Sequence, residues 1–314
     1  MSTLLERRLL FVTGKGGVGK TTVAAGLALL AARDGKRTLV CEVDAKGSLA
    51  HAYGLEPLSF KPRLAQPDLY AMAMNTEDSL REYVALQLRL PLLARIGPLA
   101  RTLDFVATAA PGVKEILTVG KLCYEVRERH YDLVVVDAVA TGHIVGQLAA
   151  PQAITELVQV GLVRDQTRWM LDIMGDPACT GVLIATTGEE MPVNETIELA
   201  ARVGRETSVD LAGVVVNRVL PELFGRGEQA VFEQLRSGPA LTALRKSAGP
   251  GVGDVLDAAE LATNLRRGRA THLARLRDGL PPGLPLLYLP ERFDRVTGLA
   301  ATMQVAAALA EELG

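Results

Sequence analysis

Residues 14–22 carry the densest chemistry in the chain: Gly14-Lys15-Gly16-Gly17-Val18-Gly19-Lys20-Thr21-Thr22. The run fits GxxxxGK[ST], with an apolar strand pattern before it and a helical pattern after it. Small residues let successive backbone N–H groups curl around phosphate oxygens, which makes Gly14, Gly16, Gly17, Val18 and Gly19 a phosphate cradle. A helix opening near Gly19 aims its positive end at the same oxygens. Lys20 is placed to reach the β- and γ-phosphates, the Thr21 hydroxyl to ligate Mg2+, and Thr22 to contact the α-phosphate. The chemistry implied is capture of a nucleoside triphosphate together with its magnesium ion.

Two acidic residues stand where such a site needs them. The apolar stretch 37–43 leads into Asp44, and an aspartate at the C-terminal end of a strand lies on the ligand side of an open α/β sheet. The stretch 132–137 ends in Asp137, an arrangement in which the carboxylate holds Mg2+ through water. Asp137 is followed by Ala138-Val139-Ala140-Thr141-Gly142-His143. Asn217-Arg218 and Pro290 follow later strand patterns.

These residues need a scaffold, and the hydrophobic pattern supplies one. Strand-like runs at 9–13, 37–43, 69–75, 132–137, 182–187, 211–217 and 284–289 alternate with helical patterns, and 296–313 closes as a helix. The runs have continuous rather than alternating apolar residues, so both faces of the sheet are expected to be covered. The expectation is an α/β protein, a doubly wound, mostly parallel sheet flanked by helices, in a single domain over 1–314. Residues 76–130 and 144–176 read as helical and are expected to form an inserted helical subdomain. Residues 222–279 are mostly helical and more charged, with a basic cluster at Arg266, Arg267 and Arg269.

Composition narrows the class. The 314 residues carry 34 Lys+Arg against 36 Asp+Glu, a balance that argues against general binding to nucleic acid or an anionic membrane. A chain with 48% hydrophobic and 22% charged residues is not disordered, collagenous or a disulfide scaffold. Cys41, Cys123 and Cys179 are far apart with no CxxC pair, so neither a zinc ribbon nor a redox dithiol is indicated. They read as small buried hydrophobes. The longest apolar run falls short of the roughly 18 residues of a membrane helix, and the first residues lack a signal-peptide pattern. A cytoplasmic protein without direct membrane insertion is expected.

Lys15 adds a lysine that an ordinary phosphate-binding loop does not need. Lys15-Gly16-Gly17-x-Gly19-Lys20-Thr21 resembles the deviant Walker A of P-loop ATPases that include nitrogenase iron proteins, partition and septum-site ATPases, and the arsenite-pump/tail-anchor-targeting group. Asp44 with Ser48-Leu49 and Tyr53, and Asp137 with Thr141-Gly142-His143, resemble the two switches of the arsenite-pump/tail-anchor-targeting family. The resemblance implies a P-loop NTPase fold that binds ATP and Mg2+. It implies that Asp44 orients or deprotonates the attacking water, and that Thr141, Gly142 and His143 respond to the γ-phosphate. Asn217, Arg218 and Pro290 would surround adenine. It also implies a homodimer, or a heterodimer with a related ATPase, in which Lys15 crosses to the partner's nucleotide. Ala45, Lys46 and Gly47 depart from the family's Pro-Ala-His, and Val139-Ala140 from its Ala-Pro.

The function expected from the resemblance is a dimeric ATP-hydrolysing switch handling a hydrophobic or membrane-destined client. Apolar residues between Leu86 and Leu103, with Met170, Leu171 and Met174, would serve the client from the helical subdomain. The alternatives are an ATPase subunit energising an arsenite-type anion pump and a low-turnover nucleotide-binding regulator.

Overall fold

A computed structural model describes residues 3–44, 46–88, 112–157, 162–225, 227–293 and 295–314. A short turn of helix, α1 (Thr3–Glu6), leads into β1 (Leu9–Gly14), which is buried along its whole length. Its side chains enter two separate core layers, Leu9 and Phe11 on one face and Leu10 and Val12 on the other. Both layers demand apolar residues, which is why the strand reads as one continuous run.

The sheet has eight strands in the order β3-β4-β2-β5-β1-β6-β7-β8. Besides β1 they are β2 (Thr38–Glu42), β3 (Arg63–Gln66), β4 (Leu69–Ala73), β5 (Leu133–Ala140), β6 (Thr180–Thr187), β7 (Asp210–Val219) and β8 (Leu286–Pro290). Every pairing is parallel except β3 with β4. Strand β3 has no counterpart among the expected strands. It is a four-residue edge strand with no buried residue, joined to β4 through Pro67 and Asp68, the latter at φ 57°. A four-residue edge with only two apolar residues, Leu64 and Ala65, is too short to carry a periodic signature.

Helices α2 (Lys20–Arg33) and α12 (Gly298–Leu313) cover one face. Helix α3 (Ser48–Tyr53) follows β2 on the same side, where Tyr53 donates to Ala25 O at 2.9 Å. The opposite face carries α5 (Val113–Arg127), α6 (Thr141–Leu157), α7 (Leu162–Gly175) and α8 (Glu190–Glu206). Helix α4 (Thr76–Leu88) packs on α5. Four of these, α4 to α7, occupy the stretches read as a helical subdomain. The inner faces of α5, α6 and α7 share a core layer with the sheet: Val119, Leu122, Ile144, Met170 and Met174 are all buried in it. Those two methionines are therefore core residues and offer no open surface. Leu90, Leu92, Leu93, Ile96, Leu99 and Leu103 lie outside the described residues.

Between β7 and β8 run α9 (Glu228–Leu235), α10 (Gly238–Ala248) and the long α11 (Val252–Gly279). Helix α11 joins the core through Leu273 and Leu276 near its C-terminal end. Among the described residues, no helix is long and apolar enough to cross a membrane.

Candidate nucleotide-binding site

Strand β1 delivers the chain to the glycine loop at Gly14, whose φ is 150° and where a Cβ would lie 2.1 Å from the Ala185 carbonyl oxygen. The loop is thus laid directly on β6, an approach that only glycine allows. It ends at Gly19, in the left-handed region at φ 95°, where a Cβ would meet Asn217 Nδ2 at 2.3 Å. Asn217 Nδ2 donates to Val18 O at 2.9 Å, while its Oδ1 accepts from Arg218 N at 3.0 Å. One amide from β7 therefore pins the cradle. Helix α2 has no side-chain cap, which leaves the first-turn N–H groups free for a phosphate.

Thr21 and Asp137, the residues expected at magnesium, meet beside the loop. Thr21 Oγ1 donates to Asp137 Oδ2 at 2.6 Å. Asp137 is buried, and burial pushes its carboxyl up to about 6 against the hydrogen bond from Thr21. Lys20 Nζ stands 3.5 Å from Lys15 O, and burial lowers its ammonium from the usual lysine range. The parallel register sets Glu42 of β2 beside Asp137 of β5. Glu42 is 3% exposed; its Oε1 accepts from Ser48 N at 3.0 Å, and its Oε2 has no partner. The sequence reading passed over Glu42, although a carboxylate ending an apolar strand was a usable signal. Among the described residues no three metal-ligating side chains cluster. The donor set fits Mg2+ nonetheless, because that ion takes one or two protein oxygens and fills its shell with water and phosphate. Thr21 and Asp137 would hold it.

A cleft of 770 Å³ opens at these residues. It is lined by the glycine loop and Asp137, by Asp44, Lys46 and Ser48 after β2, and by Thr297, Gly298, Ala301 and Thr302 at the start of α12. The residues at the start of α12 were not among the expected site residues. An adjoining hollow of 550 Å³ shares Thr22 with the cleft and is lined by Asn217, Arg218 and Pro290. The residues expected at phosphate and at base thus meet along one continuous surface. Asp44 is half exposed at the cleft, its carboxylate 3.5 Å from Lys46 Nζ; Ala45 lies outside the described residues.

Thr141, Gly142 and His143 form the first turn of α6, and the latter two are exposed. Thr141 Oγ1 donates to Glu195 Oε2 at 3.1 Å, and Lys15 Nζ donates to Glu195 Oε1. Lys15 is therefore folded back on its own α8. Glu195 joins the loop to the start of α6, a role the sequence reading did not give it.

With this geometry in hand, the family profile described as "Anion-transporting ATPase" matches residues 7–166. The chain belongs to this anion-transporting ATPase family. The matched region holds the glycine loop, Asp44, Asp137 and Thr141 to His143. "ATPase BagA" of Mycobacterium tuberculosis is 31% identical over 231 residues, covering 70% of this chain and 67% of that one. A Halobacterium salinarum protein named, provisionally, an arsenical pump-driving ATPase is 30% identical over 261 residues, 75% of this chain and 39% of that one. The "ATPase ASNA1 homolog" of Babesia bovis is 24% identical over 247 residues, 68% and 66% of the two chains.

Proposed function

We propose that this anion-transporting ATPase family member binds ATP with Mg2+ and hydrolyses it as one half of a nucleotide-gated dimer. The observation that carries the reading is the Thr21–Asp137 hydrogen bond beside the glycine loop. It places a hydroxyl and a carboxylate together within reach of the phosphates that the loop amides and Lys20 would hold. When bound, Mg2+ neutralises charge on the β- and γ-phosphates. The protein's own part is to fix the phosphates with the cradle, seat the base in the hollow formed by Asn217, Arg218 and Pro290, and present Asp44 to the attacking water. The test is Mg2+-dependent phosphate release from ATP by the purified chain, alongside Lys20→Ala. Release should be lost in the variant; absence of both ATP binding and release in the wild type would end the reading.

The dimer rests on Lys15. Its side chain and that of Glu195 are each 30% exposed, and an ion pair of that kind contributes about 0–1 kcal/mol. Exchanging Glu195 for a partner's phosphates therefore costs little. Helix α6 starts at Thr141 and runs into the α5–α7 layer, so a shift at Thr141 would pass into those helices and to a hydrophobic or membrane-destined client. Sedimentation with and without ATP tests the dimer, and co-purification with the ATP-trapped Asp44→Asn variant tests the client.

The pump-driving reading draws on the name of the haloarchaeal relative. It needs thiolates if the cargo is arsenite. Cys41 and Cys123 are buried, and burial pushes the Cys41 thiol up to about 12 and that of Cys123 higher still, the opposite of what a thiolate ligand requires. Stimulation of ATP hydrolysis by arsenite would reverse this ranking. The departures at Lys46, Gly47, Val139 and Ala140 support slow turnover.

A further inference from the structure

The cleft contains a carboxylate oxygen that no part of the described protein satisfies. Glu42 sits at the last position of β2, in register with Asp137 on the neighbouring strand. In a parallel ladder, paired residues project on the same side of the sheet, on strands about 4.8 Å apart. Val40 and Val135, two residues earlier on the same strands, both enter the layer beneath α2, so Glu42 and Asp137 face Thr21 and Lys20 together. Both carboxylates line the cleft. Glu42 divides its two oxygens. Oε1 accepts from the backbone N–H of Ser48, the first residue of α3, four residues beyond Asp44; Oε2 is buried without a donor.

An ionised carboxylate oxygen only accepts hydrogen bonds. A group that donates without accepting suits this position, and a water on a divalent cation is such a group, because its lone pair is committed to the metal. Mg2+ dehydrates reluctantly and keeps several waters. We propose that Glu42 is an outer carboxylate of the magnesium site: Oε2 accepts from a cation-bound water while Oε1 holds Ser48 N–H. One side chain then ties cation binding to the start of α3 and, through the short segment between them, to Asp44. The proposal rests on the reading that this cleft takes a nucleotide with magnesium.

Glu42→Gln separates this role from simple capping of α3. The amide keeps an oxygen for Ser48 N–H but sets a donor where Oε2 stood. Mn2+ is titrated by electron paramagnetic resonance in the presence of ADP, ADP affinity is measured separately in EDTA, and amide exchange is followed over 46–53. Outer-shell partners of this kind change metal affinity by about 10- to 100-fold, and a loss of that size is expected in Glu42→Gln. ADP affinity in EDTA should be unchanged, and the Mn2+-induced protection of 46–53 lost. Mn2+ affinity within about twofold of wild type, below the range for outer-shell partners, with protection intact, would overturn the proposal. ADP affinity in EDTA also reports whether the variant is folded. If Glu42→Gln does not fold, Glu42→Asp carries the comparison, keeping the acceptor but withdrawing it by one methylene. Failure of wild-type protein to bind ADP at all would overturn the nucleotide reading, and this proposal with it.

Discussion

The two walls of the cleft are held in different ways. The wall made by β1, the glycine loop and α2 is fixed by backbone contacts and short bonds between distant parts of the chain. Gly14 lies against Ala185, Asn217 clamps Val18, and Thr21 is 2.6 Å from Asp137. The segment carrying Asp44 is anchored at both ends, by Val43 N on Asp137 O at 3.1 Å and by Ser48 N on Glu42, while Asp44 itself has an ion pair with Lys46, whose side chain is 76% exposed. Such an exposed pair contributes little. The proposed phosphate cradle is thus preorganised, whereas Asp44, the group proposed for water activation, has its side chain held only by an exposed ion pair. A nucleotide-gated ATPase benefits from this division, because the γ-phosphate has something rigid to bind and something loose to reposition.

Gly14→Ala is the strongest way to break the comparison. Its Cβ would sit 2.1 Å from a backbone oxygen at φ 150°. Strain and overpacking of that kind together cost on the order of 3–5 kcal/mol. Thermal melts should show a lowered midpoint with loss of ATP binding; a wild-type midpoint would mean that the first wall is not rigid. Asp44→Asn probes the other wall. Loss of a group that activates water costs about 10²- to 10⁴-fold in rate, while the melting midpoint and ATP affinity should stay at wild-type values. An equal loss of affinity would mean that Asp44 is as structural as Thr21.

The rigid wall also has a pH signature. Asp137 ionises near pH 4 when unfolded and near 6 in the fold. Between those values the folded protein binds more protons, so this group's contribution to stability is present below about pH 4 and lost as pH rises through 6. The size is on the order of 2–3 kcal/mol. Melts of wild type and Asp137→Asn across that range should converge at low pH and diverge in favour of the variant above 6. A difference independent of pH would contradict the burial of this carboxylate.

The same contrast explains how much could be read from the chain. The glycine loop and the acidic strand ends were legible because phosphate chemistry fixes residue type and spacing within a few positions. The sheet was legible because strands such as Leu9–Gly14 are buried on both faces. Strand β3 was not, since an edge strand without buried residues has no pattern to show. The contact made by Glu195 was not legible for another reason: its partner Lys15 is 180 positions away, and no local rule announces such a contact. Nor does a helix N-terminus at Thr297 say that it will line the cleft.

The smallest expected effect belongs to that long-range contact. Glu195 accepts from both Lys15 and Thr141, so it holds two groups that the proposed dimer needs to redirect. Glu195→Gln keeps a hydrogen-bonding side chain but removes the charge that retains Lys15. Because the pair is partly solvated, its loss should change stability by less than about 1 kcal/mol. If Lys15 must leave Glu195 before it can reach a partner's phosphates, freeing it strengthens ATP-dependent association by the same amount, up to about fivefold. Lys15→Ala should weaken that association while leaving ATP affinity of the single chain unchanged. Sedimentation of the two variants with ATP decides the matter: opposite shifts assign Lys15 to the partner's site, whereas equal shifts would make the Lys15–Glu195 pair a strut within one subunit.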